Sequence, residues 1–124
     1  MDETLTIHVI DDDDAVRDSI RVMLEVEGFV MHTYASCAEF LREAHVDENC
    51  CLLVDMHMPG MDGLDLLRWL RREGLDTPAI VMTGKANEDL RRALGPVGGV
   101  LLEKPFRLWE LMASIRAATD RDNL

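Results

Sequence analysis

The sequence predicts an α/β fold, an open three-layer sandwich with helices on both faces of a parallel sheet. Five short apolar runs alternate with five stretches of helical periodicity. Strands separated by helices pair in parallel through right-handed crossovers. One run, Cys50 to Val54, is apolar without alternation, the pattern of a strand covered on both faces. At 124 residues the chain is one domain by length. It is long enough to bury a core without disulfide or metal support.

The elements follow in order. Leu5 to Ile10 reads as the first strand, and Ala15 to Glu27 as a helix with Val16, Ile20, Met23 and Leu24 on one face and Gly28 as its stop. Phe29 to Ala35 is the second strand. Ser36-Cys37-Ala38-Glu39 has the form of a capping box, opening a helix that carries Phe40, Leu41 and Ala44. After the third strand, Leu64, Leu67 and Leu70 stripe a helix that ends near Gly74. Ala79 to Met82 is the fourth strand, introduced by Pro78, and a short helix spans Glu88 to Leu94 with Asn87 as its cap. Gly98 to Leu102 is the last strand, and Leu108, Leu111, Met112 and Ile115 mark the final helix.

Composition narrows the function. The chain is 48% apolar and 30% charged, which is ordinary globular usage. Thirteen basic against 24 acidic residues leave a net charge of −11. Such a surface repels phosphate backbones and anionic lipid, so direct binding to nucleic acid or membrane is not expected. It suits cations or a basic patch on a protein partner. No apolar run approaches the ~18 residues of a membrane helix, and Met1-Asp2-Glu3-Thr4 is acidic where a secretory signal is basic. The three cysteines form no disulfide framework and read as buried, reduced thiols of a cytoplasmic protein. With no C-x-x-C and no histidine pair at ligand spacing, zinc is not expected. The four histidines, the eight methionines and the arginines 68, 71 and 72 read as structural, core-filling and solvated, respectively. Trp69 and Trp109 read as partly exposed.

In open parallel sheets, ligands sit beyond the carboxyl ends of the strands. Here the first strand ends in Asp11-Asp12-Asp13-Asp14 and the third in Asp55, followed by Met56-His57-Met58-Pro59-Gly60-Met61-Asp62-Gly63. The fourth ends in Thr83-Gly84 and the fifth in Glu103-Lys104-Pro105-Phe106. Each group alone has an ordinary explanation: a helix-capping loop, a turn former, a local hydrogen bonder, a surface lysine. Their coincidence at four strand ends points to one pocket of carboxylates, a hydroxyl and an ammonium. Two carboxylates ~4 Å apart repel by about 4 kcal/mol at an effective dielectric near 20, so a cation or a shared proton must neutralise them. Oxygen-only ligands with open positions suit magnesium.

Those same motifs, in the same order over Thr6 to about Ala118, resemble the receiver domain of two-component response regulators, most closely those of the FixJ/NarL kind. The resemblance implies a flavodoxin-like sandwich with strand order 2-1-3-4-5, residues 1–120 as the domain and 121–124 as a tail or the start of a linker. It implies that Asp55 accepts a phosphoryl group from a sensor histidine kinase, on a non-enzymatic switch capable only of self-phosphorylation and slow self-dephosphorylation. Asp11, Asp12, Asp55 and the main-chain carbonyl of His57 would hold Mg²⁺, with Mn²⁺ or Ca²⁺ able to substitute. Thr83 and Lys104 would bind the phosphoryl oxygens, and a cis peptide before Pro105 would aim Lys104 into the pocket. A C-terminal DNA-binding output domain and a homodimer through the fourth helix, fifth strand and fifth helix, with Trp109 at such an interface, are the implied partners. Lys85, two residues beyond Thr83, holds a position that in this family tunes dephosphorylation.

Two departures stand out. Leu101 occupies the place of the family's switch aromatic, and Gly95-Pro96-Val97-Gly98-Gly99 shortens the fourth helix. Both leave room for a receiver that signals by protein contact without phosphorylation. A haloacid-dehalogenase-type phosphatase would want a second aspartate where this chain has His57.

Overall fold

The computed structural model describes residues 4–120. Met1 to Glu3 and the tail at 121–124 lie outside the described residues. Five strands and five helices alternate: β1 (Thr6–Ile10), α1 (Asp14–Val26), β2 (Val30–Tyr34), α2 (Cys37–Glu43), β3 (Cys50–Asp55), α3 (Gly63–Arg72), β4 (Ala79–Thr83), α4 (Glu88–Leu94), β5 (Val100–Glu103) and α5 (Leu108–Thr119). The strands form one sheet in the order β2-β1-β3-β4-β5, and every pairing is parallel.

The period-2 alternation of the strands distributes the core between two layers. Ile7, Val9, Cys51, Leu53 and Ile80 face α1 and α5, where Ile20, Leu24, Leu111 and Ile115 meet them. Ile10, Leu52, Val54 and Val81 face the opposite way, onto Phe40 of α2 and Leu66, Leu67 and Leu70 of α3. All six residues of β3 are buried, because this strand is central and covered on both sides. Each fully buried leucine contributes roughly 1.5–3 kcal/mol of transfer free energy, so the two layers dominate stability. The three cysteines are buried, and among the described residues no disulfide joins them. Burial pushes the Cys37 thiol up to about 12, which keeps it protonated and unreactive.

Where sequence and structure differ, the cause is local hydrogen bonding or reach. The capping motif at α2 is half reciprocal. Ser36 accepts from the Glu39 amide at 3.0 Å, but the Glu39 carboxylate accepts from the Ala35 amide, one residue earlier. The last strand begins at Val100 because Gly98 takes a positive φ of 67° in the turn after α4. Arg71 is no solvated arginine. Its Nε donates to the Val97 carbonyl at 2.8 Å and its Nη1 to the Leu75 carbonyl at 2.8 Å, so it ties the end of α3 to the loop before β5. Burial lowers its pKa for the same reason.

Candidate phosphoacceptor and metal site

The sheet brings the carboxyl ends of β1, β3, β4 and β5 together, and the side chains there form one pocket. Ligating oxygens of Asp11, Asp12 and Asp55 all lie within 4.8 Å of one another. Asp11 is 1% exposed and Asp55 7%, while Asp12 is exposed. Lys104 reaches over from the turn after β5. Its Nζ donates to Asp11 Oδ2 at 3.0 Å and to Asp55 Oδ1 at 3.1 Å. Parallel pairing makes this possible, since the Lys104 amide also donates to the Thr83 carbonyl at 2.8 Å and so extends the β4–β5 ladder by one bond.

The loops are built to hold these groups. Asp13 caps α1 by accepting from the amides of Ala15 and Val16, and its own amide donates to Asp11 Oδ1 at 2.9 Å. Asp14 pairs with Arg17. Of the four successive aspartates, two are therefore occupied with α1 and two face the pocket. After β3, Asp62 and Asp65 form a reciprocal capping box on α3. Gly63 lets the first turn of α3 press against the end of β3, because a Cβ there would sit 3.0 Å from the Asp55 carbonyl oxygen.

Thr83 is fully buried at the end of β4. Its hydroxyl accepts from the Lys85 amide at 3.1 Å and lies 3.4 Å from His57 Nε2. The exposed His57 thus touches the site through its ring, whereas the sequence points chiefly to its backbone carbonyl. Glu103 was missed as well. Its carboxylate accepts from the Ala86 amide at 3.3 Å and pins the loop after Thr83 to β5. Lys85 is exposed and meets the site through its backbone N–H. Leu101 is half-buried and packs against the α3–α4 side of the core. The Lys104–Pro105 peptide is cis.

Burial raises the Asp55 pKa above the usual carboxylate value. Lys104 opposes that shift and the Asp11 and Asp12 charges add to it. Burial works to lower the Lys104 pKa, but its bonds to Asp11 and Asp55 outweigh this and raise it. One ammonium therefore does not fully neutralise three carboxylates. Three converging carboxylate oxygens with residual negative charge fit a hard, oxygen-seeking dication such as magnesium. Asp11, Asp12 and Asp55 are the side chains that would hold it.

A family model described as "Response regulator receiver domain" matches residues 7–116. The chain belongs to the response regulator receiver domain family. This receiver domain is 39% identical to the transcriptional regulatory protein FixJ of Azorhizobium caulinodans over 122 residues, covering 98% of the chain and 58% of that protein. It is 37% identical to the response regulator MprA of Mycobacterium ulcerans over 122 residues, covering 98% of the chain and 53% of that protein. The chain thus spans little more than half the length of these curated relatives. Among solved structures, it superposes on the crystal structure of FixJ-N with a TM-score of 0.85 at 32% identity, covering 98% of this chain and 97% of that one. The chemotaxis protein CheY4 of Vibrio cholerae matches with a TM-score of 0.84 at 22% identity, covering 94% of this chain and 99% of that one, a likeness of fold alone. Among the described residues, no helix of this receiver domain is long and apolar enough to cross a membrane.

Proposed function

We propose that this receiver domain is a phosphorylation switch. Asp55 takes a phosphoryl group from a phosphohistidine on a sensor kinase, and the product alters a partner or a transcriptional output domain. The observation that carries this is the position of Lys104, whose ammonium bridges Asp55 and Asp11 at the mouth of a three-carboxylate cluster.

The chemistry follows from the residues. An Asp55 carboxylate oxygen forms a bond to phosphorus as the P–N bond breaks, and the imidazole leaves with that electron pair. Phosphoryl transfer has a loose transition state, so the site's contribution is alignment and charge neutralisation. Held by Asp11, Asp12 and Asp55, Mg²⁺, or Mn²⁺ or Ca²⁺ in its place, would supply positive charge against the phosphoryl oxygens. Lys104 turns its ammonium from Asp55 to a phosphoryl oxygen, and Thr83 donates its hydroxyl to another. By family likeness, the His57 main-chain carbonyl would complete the ligand set. Release of the phosphoryl group is slow self-hydrolysis, and no diffusible substrate is turned over.

An apolar groove of about 470 Å³ runs beside Lys104, lined by Val16, Ile20 and Met23 of α1 together with Pro105 and Phe106. It offers the kinase's phosphohistidine helix a shelf next to the acceptor. The face of α4, β5 and α5, where Trp109 is 66% exposed, is the surface we assign to a homodimer or output domain. The protein acts in the cytoplasm and has no direct nucleic-acid contact through this acidic domain.

Incubation with acetyl phosphate and Mg²⁺, followed by intact-mass measurement, tests the reading. One added phosphoryl group is expected, lost in Asp55→Asn. Leu101 at the aromatic switch position favours a second reading, a receiver that engages its partner without phosphorylation. An unlabelled wild-type chain would select it.

A further inference from the structure

The edge of the sheet where the strands begin carries a cleft that the proposed switch does not use. It opens between the loop before β3 and the loop before β4, with a volume of about 400 Å³. Three carboxylates, those of Asp47, Glu48 and Asp76, stand round it, and Val46, Leu75 and Pro78 supply apolar wall. All three acids are exposed, and among the described residues none of them is in a salt bridge. The Arg71 guanidinium, which feels the Asp76 charge, is already committed to the carbonyls of Leu75 and Val97.

Thr77 is the observation that points to a ligand. It is 7% exposed and lines the cleft, yet its hydroxyl makes no hydrogen bond to any described residue. A buried hydroxyl ordinarily bonds a neighbouring backbone group, and this one does not. It is also not sealed off, so the partner it lacks comes from the cleft side. Leu75 beside it is 39% exposed, an apolar surface left open next to the acids.

The hydroxyl and the carboxylates all accept hydrogen bonds, so the occupant is a cation rich in donors. A metal ion does not fit, because among the described residues only Asp11, Asp12 and Asp55 bring three ligand atoms within 4.8 Å of one another. Acids spread along a cleft suit a guanidinium, whose N–H donors fork across a plane. Its alkyl stem would lie on Leu75 and Pro78. Asp47 also lines a neighbouring cavity of about 260 Å³, flanked by Glu43, so the acidic surface continues along this edge. That length suits an extended chain better than a lone small cation.

We propose that this cleft docks a basic, extended segment of a partner protein, with one arginine seated among Asp47, Glu48 and Asp76 and bonded to the Thr77 hydroxyl. The six residues of β3 separate the cleft from Asp55 by about 20 Å. Docking therefore leaves the phosphoacceptor open and does not rest on its phosphorylation.

NMR titration of the full chain with a short acetylated, amidated peptide alternating arginine with alanine tests the proposal. Saturating Mg²⁺ is present to occupy the acidic pocket round Asp55. Saturable binding is expected, with amide shifts centred on residues 46–48 and 75–78. Thr77→Val keeps shape and charge and should weaken binding about three- to tenfold through the lost hydrogen bond. Asp76→Asn should weaken it about two- to fivefold, the scale of one exposed ion pair, while Asp18→Asn, which removes the same charge from α1, should not. Agmatine, which carries a guanidinium without a peptide chain, should bind more weakly than the peptide. No saturable binding, shifts centred elsewhere, full affinity in Thr77→Val, or equal loss in Asp18→Asn would each overturn the proposal. Equal affinity for agmatine would assign the cleft to a small cation, and self-association abolished by Asp76→Asn would assign it to a second copy. Either result would overturn the partner segment.

Discussion

The Thr83 hydroxyl lies 3.4 Å from His57 Nε2, so the last residue of β4 is tied to the loop that follows the phosphoacceptor. In the proposed switch this hydroxyl leaves His57 for the phosphoryl group. A long neutral hydrogen bond is worth roughly 0.5–1 kcal/mol net. His57→Ala should therefore bind beryllofluoride, in the presence of Mg²⁺, about two- to fivefold more tightly than wild type. Equal or weaker affinity, measured by calorimetry, would show that the contact does not restrain Thr83.

Asp55 gives a pH signature. Its folded-state pKa is raised, so its contribution to stability is present below the unfolded value and lost as pH rises through the folded one. At neutral pH without metal, the ionised Asp55 works against the fold. Asp55→Asn should be more stable than wild type near pH 7, and the gain should vanish near pH 4. Urea unfolding at the two pH values measures both differences.

His8 predicts an acid limb of the opposite kind. Its pKa falls from 6.5 to about 4 because burial, and then the neighbouring His32, disfavour the charged ring. Stability from the neutral ring is whole above pH 6.5 and is lost as pH falls towards 4. At 1.36 kcal/mol per unit the total is about 3 kcal/mol. His8→Leu, compared with wild type by denaturant unfolding across this range, should flatten the limb even if its own stability is lower throughout.

Arg71 carries the 95–99 segment. Its guanidinium holds the Val97 and Leu75 carbonyls, and a hydrogen bond from a charged donor is worth about 1.5–3 kcal/mol. Arg71→Met keeps most of the stem and should cost roughly 2–3 kcal/mol. Amide exchange at Val97, Gly98 and Gly99 should accelerate, while exchange in β1 should follow only the global loss.

Gly63 tests how closely α3 must approach the acceptor. A Cβ 3.0 Å from the Asp55 carbonyl forces backbone to shift, and overpacking of this kind costs about 1–3 kcal/mol. Gly63→Ala should lower the unfolding midpoint and also slow acetyl-phosphate labelling of Asp55. Gly84→Ala, which meets nothing within 4 Å, should leave the midpoint near wild type.

Periodicity and strand-end chemistry are local properties, and they were legible. The short apolar run Leu5 to Ile10, unbroken apolarity in Cys50 to Val54 and the Asp55-to-Gly63 run placed the strands and the acidic residues at their ends to within a residue or two. The capping roles of Asp13 and Asn87 follow the same logic, since a cap reaches only three residues. The reciprocal box of Asp62 and Asp65 is equally local and lay hidden inside the acceptor motif. Arg71 was misjudged because its partner Val97 is 26 residues away, and a charged residue on an amphipathic helix reads as solvated until the opposing loop is known.

What the chain's order alone determined was a doubly wound sheet with carboxylates, a hydroxyl and an ammonium at its carboxyl edge. Each of those follows from which residue types end which apolar run. Only the tertiary structure decided that Lys104 bridges Asp11 and Asp55, that the His57 ring meets Thr83, and that the buried His8 ring packs against Tyr34, His32 and Phe40. Those relationships depend on parallel register and on where a two-turn helix stops covering the sheet. Neither is written in any short stretch of residues, because contacts between distant segments are fixed by packing the whole core.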